Sequence, residues 1–287
     1  MKPKVFKADC FKCRDFNIDL SKNARIMGIL NITPDSFSDA GVYFDKGRAL
    51  EHAQVMQSEG ADIIDIGAES TRPGARSVSA AEQLKRLEDI VKVLGKKLKI
   101  PVSIDTASSI VARRCLDLGA SIINDVYALK KDSKLGKLIG RYKAGVVLMH
   151  MKKPPRTMQQ NPEYDNVILE IINFLDKAKK KAIDSGISEK SIMLDPGIGF
   201  GKTTEHNLKI INHLDEFKVL KSPILIGTSK KSFIGSVLHK KVNERRLGTA
   251  VSVVISVLNG AKVVRVHDVK QAKEALRLTW QITKQGL

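Results

Sequence analysis

Residues 25–39 read RIMGILNITPDSFSD. Positions 26–30 are apolar or glycine throughout, the composition of a parallel strand buried on both faces. Asn31 follows at the C-terminal end of that strand, where parallel α/β folds place the groups that meet ligands. The loop beyond it carries Thr33, Asp35, Ser36, Ser38 and Asp39 around a single aromatic ring, Phe37. A connection that merely reversed the chain would not need so many oxygens around one ring.

Working outward, short β-rich runs recur at 26–31, 63–67, 101–105, 122–125, 145–149, 192–195, 224–227 and 263–266. Each is followed by residues with helical period. Residues 79–98 show the pattern most clearly: Ser79 and Glu82 have capping-box spacing, and Leu84, Leu87, Val91, Leu94 and Leu98 share one face. Residues 167–185, 205–220, 244–259 and 269–283 read similarly. Eight strand–helix alternations point to the α/β class and a (β/α)8 TIM barrel, ahead of a doubly wound open sheet. Residues 1–25 form an N-terminal extension, with 16–20 expected as one arm of a small β-hairpin closing the barrel bottom. The expected organisation is this extension followed by one barrel domain over 26–287.

The chain has 287 residues, 43% of them hydrophobic, enough for one large core. No run of 18 apolar residues marks a membrane span, and the opening MKPKVFKADCF lacks the apolar centre of a secretory signal. Cys10, Cys13 and Cys115 are an odd, low count that suits a reducing cytoplasm. Cys10 and Cys13 form a CxxC pair, with neither a second pair for zinc nor a thioredoxin-like context, and read as free thiols. A formal net charge of +18 invites a nucleic-acid reading, but the lysines are scattered through helical segments and aromatics make up only 5%. No block couples basic side chains to stacking rings, so neither a nucleic-acid nor a membrane partner is expected. The excess charge instead favours anionic small substrates.

In a barrel, the C-terminal strand ends converge on one face. Here they present Asn31, the ESTRPG stretch at 69–74, Asp105, Asn124 with Asp125, His150, Asp195, the GTSKKS stretch at 227–232, and Arg265, His267 and Asp268. Any one could cap a helix, Asp105 with Thr106 above all. Asn31, Asp195 and Arg265 do not immediately precede a helix, so capping does not account for the set. Asp105, Asn124 and Asp195 bring carboxylates and an amide to a largely apolar mouth, a donor–acceptor set suited to a flat heterocycle with an aminopyrimidine edge. Arg265 and His267 are two apart on the last strand and project to the same side, where barrels often hold a phosphate. Lys231 and Ser232 open the helix after the seventh strand, whose free N–H groups favour an anion.

Residues 195–204, DPGIGFGKTT, contain two near-matches to nucleotide motifs. A P-loop would need glycine where Pro196 stands, and a dinucleotide fingerprint would need glycine where Lys202 stands. The preferred reading is a glycine-rich loop holding Phe200 against a bound ring, with a plain turn as the competing reading of the glycines.

In order along the chain, MGILNITPDSFSD, ESTRPG, SIDT, IND, MHM, DPGIGFGK, SKKSF and RVHD resemble the motifs of the dihydropteroate synthase family. The resemblance implies a (β/α)8 barrel, usually a homodimer. It implies condensation of (7,8-dihydropterin-6-yl)methyl diphosphate with 4-aminobenzoate, giving 7,8-dihydropteroate and diphosphate in folate synthesis. Carried over by position, Asn31 resembles a Mg2+ ligand, and Thr71, Arg265 and His267 the groups that hold diphosphate. Asp105, Asn124, Asp195 and Lys231 resemble the pterin set; Phe37, Pro73, Phe200 and Ser232 resemble the 4-aminobenzoate pocket. Asp39 and Arg72 belong to two loops expected to close over the reacting centre, with either Asp35 or Asp39 beside the developing cation. Three departures stand out: Lys230 replaces the usual Arg before the pterin lysine, Ala40 replaces a glycine, and Lys152–Lys153–Pro154–Pro155 occupies a variable loop. A pterin-dependent corrinoid methyltransferase would share Asp105, Asn124 and Asp195 but would not use the NITPDSFSD, SKKSF or RVHD segments. A silent pterin-binding paralogue would be expected to lose Asn31, Arg265 or Lys231, all of which are present, and a basic adaptor for nucleic acid would show steep salt-dependent affinity for oligonucleotides.

Overall fold

The structure, a computed structural model, describes residues 10–32, 46–69, 78–154 and 157–284. Strands β1 (Cys10–Cys13) and β2 (Phe16–Asp19) form an antiparallel hairpin. Eight parallel strands follow: β3 (Arg25–Asn31), β4 (Ile63–Gly67), β5 (Val102–Asp105), β6 (Ile122–Asp125), β7 (Gly145–Met149), β8 (Ile192–Asp195), β9 (Leu225–Ile226) and β10 (Val263–Val266). Strands β3 to β8 pair in sequence order, and β10 pairs with both β3 and β9. The ring closes where Leu194 bridges Ile224 and donates its N–H to Pro223 O at 3.0 Å. This is the expected (β/α)8 barrel. The seventh barrel strand is shorter than the run 224–227, and Pro223 before it has no N–H with which to extend the ladder.

The outer layer comprises α1 (Lys46–Ser58), α2 (Ala80–Lys97), α3 (Ser109–Asp117), α4 (Leu135–Arg141), α5 (Val167–Asp184), α6 (Thr204–Asn212), α7 (Ser232–Leu238), α8 (Arg246–Leu258) and α9 (Val269–Lys284). At α2, Ser79 accepts the Glu82 N–H at 3.2 Å, whereas the Glu82 carboxylate turns forward to Arg86, at 2.9 Å, rather than back to the cap. The helical run expected over 205–220 divides. Asn259 donates to the carbonyls of Ile211 and Asn212 at 2.9 and 3.2 Å, capturing the open end of α6, and a 3-10 segment continues from Leu214 to Leu220. Among the described residues no helix is long and apolar enough to cross a membrane.

Two cores result. The larger lies between strands and helices and takes the outward side chains, such as Ile64, Ile104, Val146 and Val264. The smaller fills the barrel itself. Ile63, Ile122, Met193 and Val263 come from alternate strands, and Met27, Val147 and Leu225 from the strands between. Phe11, Cys13 and Leu20 of the N-terminal segment complete this cluster and plug the barrel from below, as the expected hairpin should. Phe11 lies so close over β7 that a Cβ on Gly145 would sit 2.4 Å from its Cζ. The Arg14 guanidinium donates to Leu116 O and Ala120 O at 2.7 and 2.9 Å, tying the hairpin turn to the end of α3. Both CxxC cysteines are free, but Cys13 is a core residue whose thiol burial pushes up to about 12.

Truncating Phe11 opens a cavity that the rigid strands above cannot collapse into. Phe11→Ala is expected to lower stability by about 3–5 kcal/mol in urea unfolding. A loss below about 1 kcal/mol would show that the hairpin only covers the barrel without plugging it.

Candidate active site

Side chains alternate across a strand, so the residue two beyond each inward apolar one also faces the barrel axis. Two residues after Ile63, Ile122, Met193 and Val263 stand Asp65, Asn124, Asp195 and Arg265. An apolar layer thus carries a polar one directly above it, on β4, β6, β8 and β10. Asp65 Oδ2 accepts from Arg265 Nε at 2.7 Å and from Asn124 Nδ2 at 3.0 Å. Arg265 Nη2 reaches Asp105 Oδ2, at the end of β5, at 3.2 Å. Four of the expected residues and one unexpected residue, Asp65, therefore lie at the same mouth.

The strand-end pattern does not single out Asp65. The signal was a single carboxylate inside the apolar strand IIDIG, a residue whose charge is expensive to bury without partners. Its side chain is 0% exposed, and among the described residues its Oδ1 has no hydrogen-bond partner.

Burial pushes the Asp105 carboxyl up to about 7, with Asp65, Glu69 and Asp125 adding repulsion and Arg265 opposing it. Asp195 is also raised by burial, although its Oδ1 accepts the Gly197 N–H at 2.7 Å. Lys231 is lowered to about 8, first by burial and then by the Arg265 charge, against the pull of Asp195 and Asp105. Its Nζ lies 4.1 Å from the centroid of the Phe200 ring, which brings two more of the expected residues together. Asp105 is not the cap of α3. Ser108 takes that position, while Thr106 donates to Gln83, which is itself bonded to Glu69. Asp125 turns away from the mouth. Its two oxygens accept the N–H groups of Tyr127 and Leu129 at 2.9 and 2.6 Å and shape the loop after β6.

Around the rim, Asn31 is half-buried at the end of β3, and a Cβ on Gly67 would sit 3.6 Å from its Oδ1. His267 Nδ1 and Ser229 Oγ are 3.0 Å apart. Ser232 is the exposed first residue of α7. Lys230 has a left-handed backbone (φ 58°) with its N–H on Thr249 Oγ1 and its carbonyl on Arg245. Phe37, Asp39, Thr71, Arg72 and Pro73, together with Asp35 and Ala40, lie outside the described residues.

The glycine loop is built for close packing. Gly197 and Gly201 have positive φ, and a Cβ on them would fall 2.0 Å from His150 O and 2.5 Å from Lys152 O. Gln159 and Tyr164 donate to Gly199 O and Gly201 O at 2.6 and 2.8 Å. Lys202, the P-loop-like lysine, is buried, with Nζ 2.9 Å from His150 Nδ1 and 3.0 Å from Phe200 O. It secures the loop from beneath and does not reach toward a phosphate.

Residues 27–267 match the pterin binding enzyme family. The dihydropteroate synthase of Haemophilus influenzae is 41% identical over 272 residues, 95% of this chain and 96% of its own length. Among solved structures, Yersinia pestis dihydropteroate synthase in a sulfonamide drug complex matches with a TM-score of 0.90 at 38% identity, over 96% of this chain and 99% of that one. Xanthomonas albilineans dihydropteroate synthase with 4-aminobenzoic acid matches with a TM-score of 0.89 at 35% identity, over 97% and 99% of the two chains.

The raised Asp105 carboxyl has a consequence for stability. Above about pH 4 the unfolded chain has released this proton while the folded protein retains it, so folding stability falls as pH rises towards about 7 and then levels. Asp105→Asn removes that titration. The stability difference between variant and wild type, from urea unfolding of the unliganded proteins, should shift in the variant's favour by on the order of 2 kcal/mol between pH 5 and pH 7.5. A difference that does not change with pH would show that Asp105 titrates normally.

Proposed function

The chain belongs to the pterin binding enzyme family, and we propose how its barrel mouth performs the family reaction that it catalyses, the dihydropteroate synthase condensation. The enzyme joins (7,8-dihydropterin-6-yl)methyl diphosphate to 4-aminobenzoate and releases diphosphate. The observation that carries the assignment of the mouth is the polar layer of Asp65, Asn124, Asp195 and Arg265 seated on an apolar floor, with Asp105 and Lys231 at its edge. Asp105, Asn124 and Asp195 offer acceptors and an amide to the amino and ring nitrogens of the pterin, and Lys231 offers a donor. Arg265 bonds Asp65 and Asp105 through Nε and Nη2, which leaves three of its five N–H donors for ligand. With Thr71 and His267 it receives the diphosphate.

In the reaction the methylene C–O bond breaks with its electron pair leaving on diphosphate. The aniline nitrogen then forms the new C–N bond and releases a proton. An aryl amine needs no strong base before it attacks. Arg265 and His267 meet charge as it develops on the leaving group, which is where fixed donors lower a barrier most. Asp35 or Asp39 lies near the cation in this reading, and Arg72 belongs to the loop that shields it from water. Phe37, Pro73, Phe200 and Ser232 form the 4-aminobenzoate pocket, with Ser232 at its carboxylate. The Lys231–Phe200 stack supports placing the aromatic ring beside the pterin.

Among the described residues no cluster of three acidic, His or Cys groups could hold a metal alone. Asn31, at the end of β3, presents a hard oxygen donor, chemistry that fits Mg2+, and its Oδ1 would hold the ion beside the diphosphate. When bound, Mg2+ neutralises charge on the leaving group.

We assign the working enzyme to a cytoplasmic homodimer. The free cysteines suit a reducing compartment. On α8, Ser252, Val253, Ser256 and Val257 are buried while Leu247, Val251, Ile255 and Leu258 are exposed, so the helix is apolar on its outer face as well. Leu278 and Ile282 of the adjacent α9 are also exposed, and together they make a patch that a two-fold contact would cover.

Asp195→Ala should abolish binding of the pterin diphosphate, and Ser232→Ala should mainly raise the KM for 4-aminobenzoate. Both are read in a diphosphate-release assay with Mg2+, run with and without 4-aminobenzoate. Normal pterin affinity in the Asp195 variant would remove that residue from the site. No aminobenzoate-dependent dihydropteroate from the native protein would overturn the functional reading. Replacing Leu247 and Val251 by Glu should convert the dimer to monomer in sedimentation velocity; an unchanged dimer would place the interface elsewhere.

A further inference from the structure

We propose that Asp65 is a positioning residue for the pterin diphosphate site: a single carboxylate oxygen holds the Arg265 guanidinium and the Asn124 amide in fixed relation across the barrel. The inference rests on the reading of the mouth given above.

Asp65 is on β4, Asn124 on β6 and Arg265 on β10, and no two of these strands are neighbours. Backbone pairing therefore does not set these side chains relative to one another directly. The link that does so runs through Asp65 Oδ2, at 2.7 Å from Arg265 Nε and 3.0 Å from Asn124 Nδ2. Asp65 is 0% exposed and cannot itself meet the substrate, so its influence passes through the two groups it holds. Arg265 would otherwise rest on Asp105 alone, at 3.2 Å, and that carboxylate stands among the groups assigned to the pterin. With Asp65 present, Arg265 stays oriented when the pterin draws on Asp105.

Stability alone does not explain the residue. Of the β4 isoleucines only Ile63 shares the barrel-facing side with Asp65; Ile64 and Ile66 face the helices. The second oxygen of Asp65 has no hydrogen-bond partner among the described residues, so part of the desolvation cost of burying this carboxylate is left uncompensated. Such a departure from local packing rules is expected where orientation of a site matters more than stability.

The test is a double-mutant cycle read by calorimetry, with (7,8-dihydropterin-6-yl)methyl diphosphate and Mg2+ as the titrant and the full chain in every variant. Asp65→Ala should weaken binding about 100-fold in the native background but no more than about tenfold beside Arg265→Met, where only Asn124 is left to release. Asp65→Asn retains an oxygen that can accept from both donors and should lose only about tenfold, so it carries the test if the alanine variant does not fold. The KM for 4-aminobenzoate should stay within about twofold in the asparagine variant, a split that general loosening of the barrel would not give. Equal losses in both backgrounds, or native affinity in a folded Asp65→Ala protein, would overturn the inference alone. Native affinity in Arg265→Met would overturn the reading of the site, and the inference with it.

Discussion

A closed parallel barrel lets only every second residue of each strand face its axis, and the rest of this molecule depends on that constraint. Below, the inward positions are apolar and the hairpin supplies Phe11, Cys13 and Leu20 to finish the packing. One step higher, the same alternation delivers Asp65, Asn124, Asp195 and Arg265 to a common level. The polar layer stands on short, fully packed strands, and the loops add the Gly197 N–H on Asp195 and the Lys231–Phe200 contact.

The charge balance at this level is tense by construction. Asp65, Asp105 and Asp195 are crowded where water is scarce, and burial raises both Asp105 and Asp195. Burial and the Arg265 charge lower Lys231. Asp105, Asp195 and Lys231 are thus shifted towards their neutral forms. A ligand that brings N–H donors to the carboxylates and an anion to the cations relieves both kinds of strain, so recognition and electrostatic relief coincide.

The glycine loop shows how local sequence similarity can mislead. GFGKT looks like the end of a phosphate-binding loop, yet Lys202 is buried between His150 and the Phe200 carbonyl. Its glycines admit close contact with the backbone of residues 150 and 152. The product of this packing is the placement of Phe200 against Lys231. Conformational need and cation burial, rather than phosphate contact, account for these residue types.

The amino-acid sequence by itself determined the architecture: eight apolar runs alternating with helical periodicity, and a polar residue at nearly every strand end, are local patterns that survive without coordinates. It also brought out Asp105, Asn124, Asp195, Lys231 and Arg265, because polar and charged groups at or just beyond the ends of apolar strands are conspicuous. Only the tertiary structure decided which of these touch. Asp125, adjacent to Asn124, turns to clasp its own loop, whereas Asp65, hidden inside an apolar strand, joins Arg265 from 200 positions away. Those outcomes depend on barrel stagger and on contacts between strands that are not adjacent. Periodicity along one strand reports which face a residue takes, but not the residue it meets across the axis.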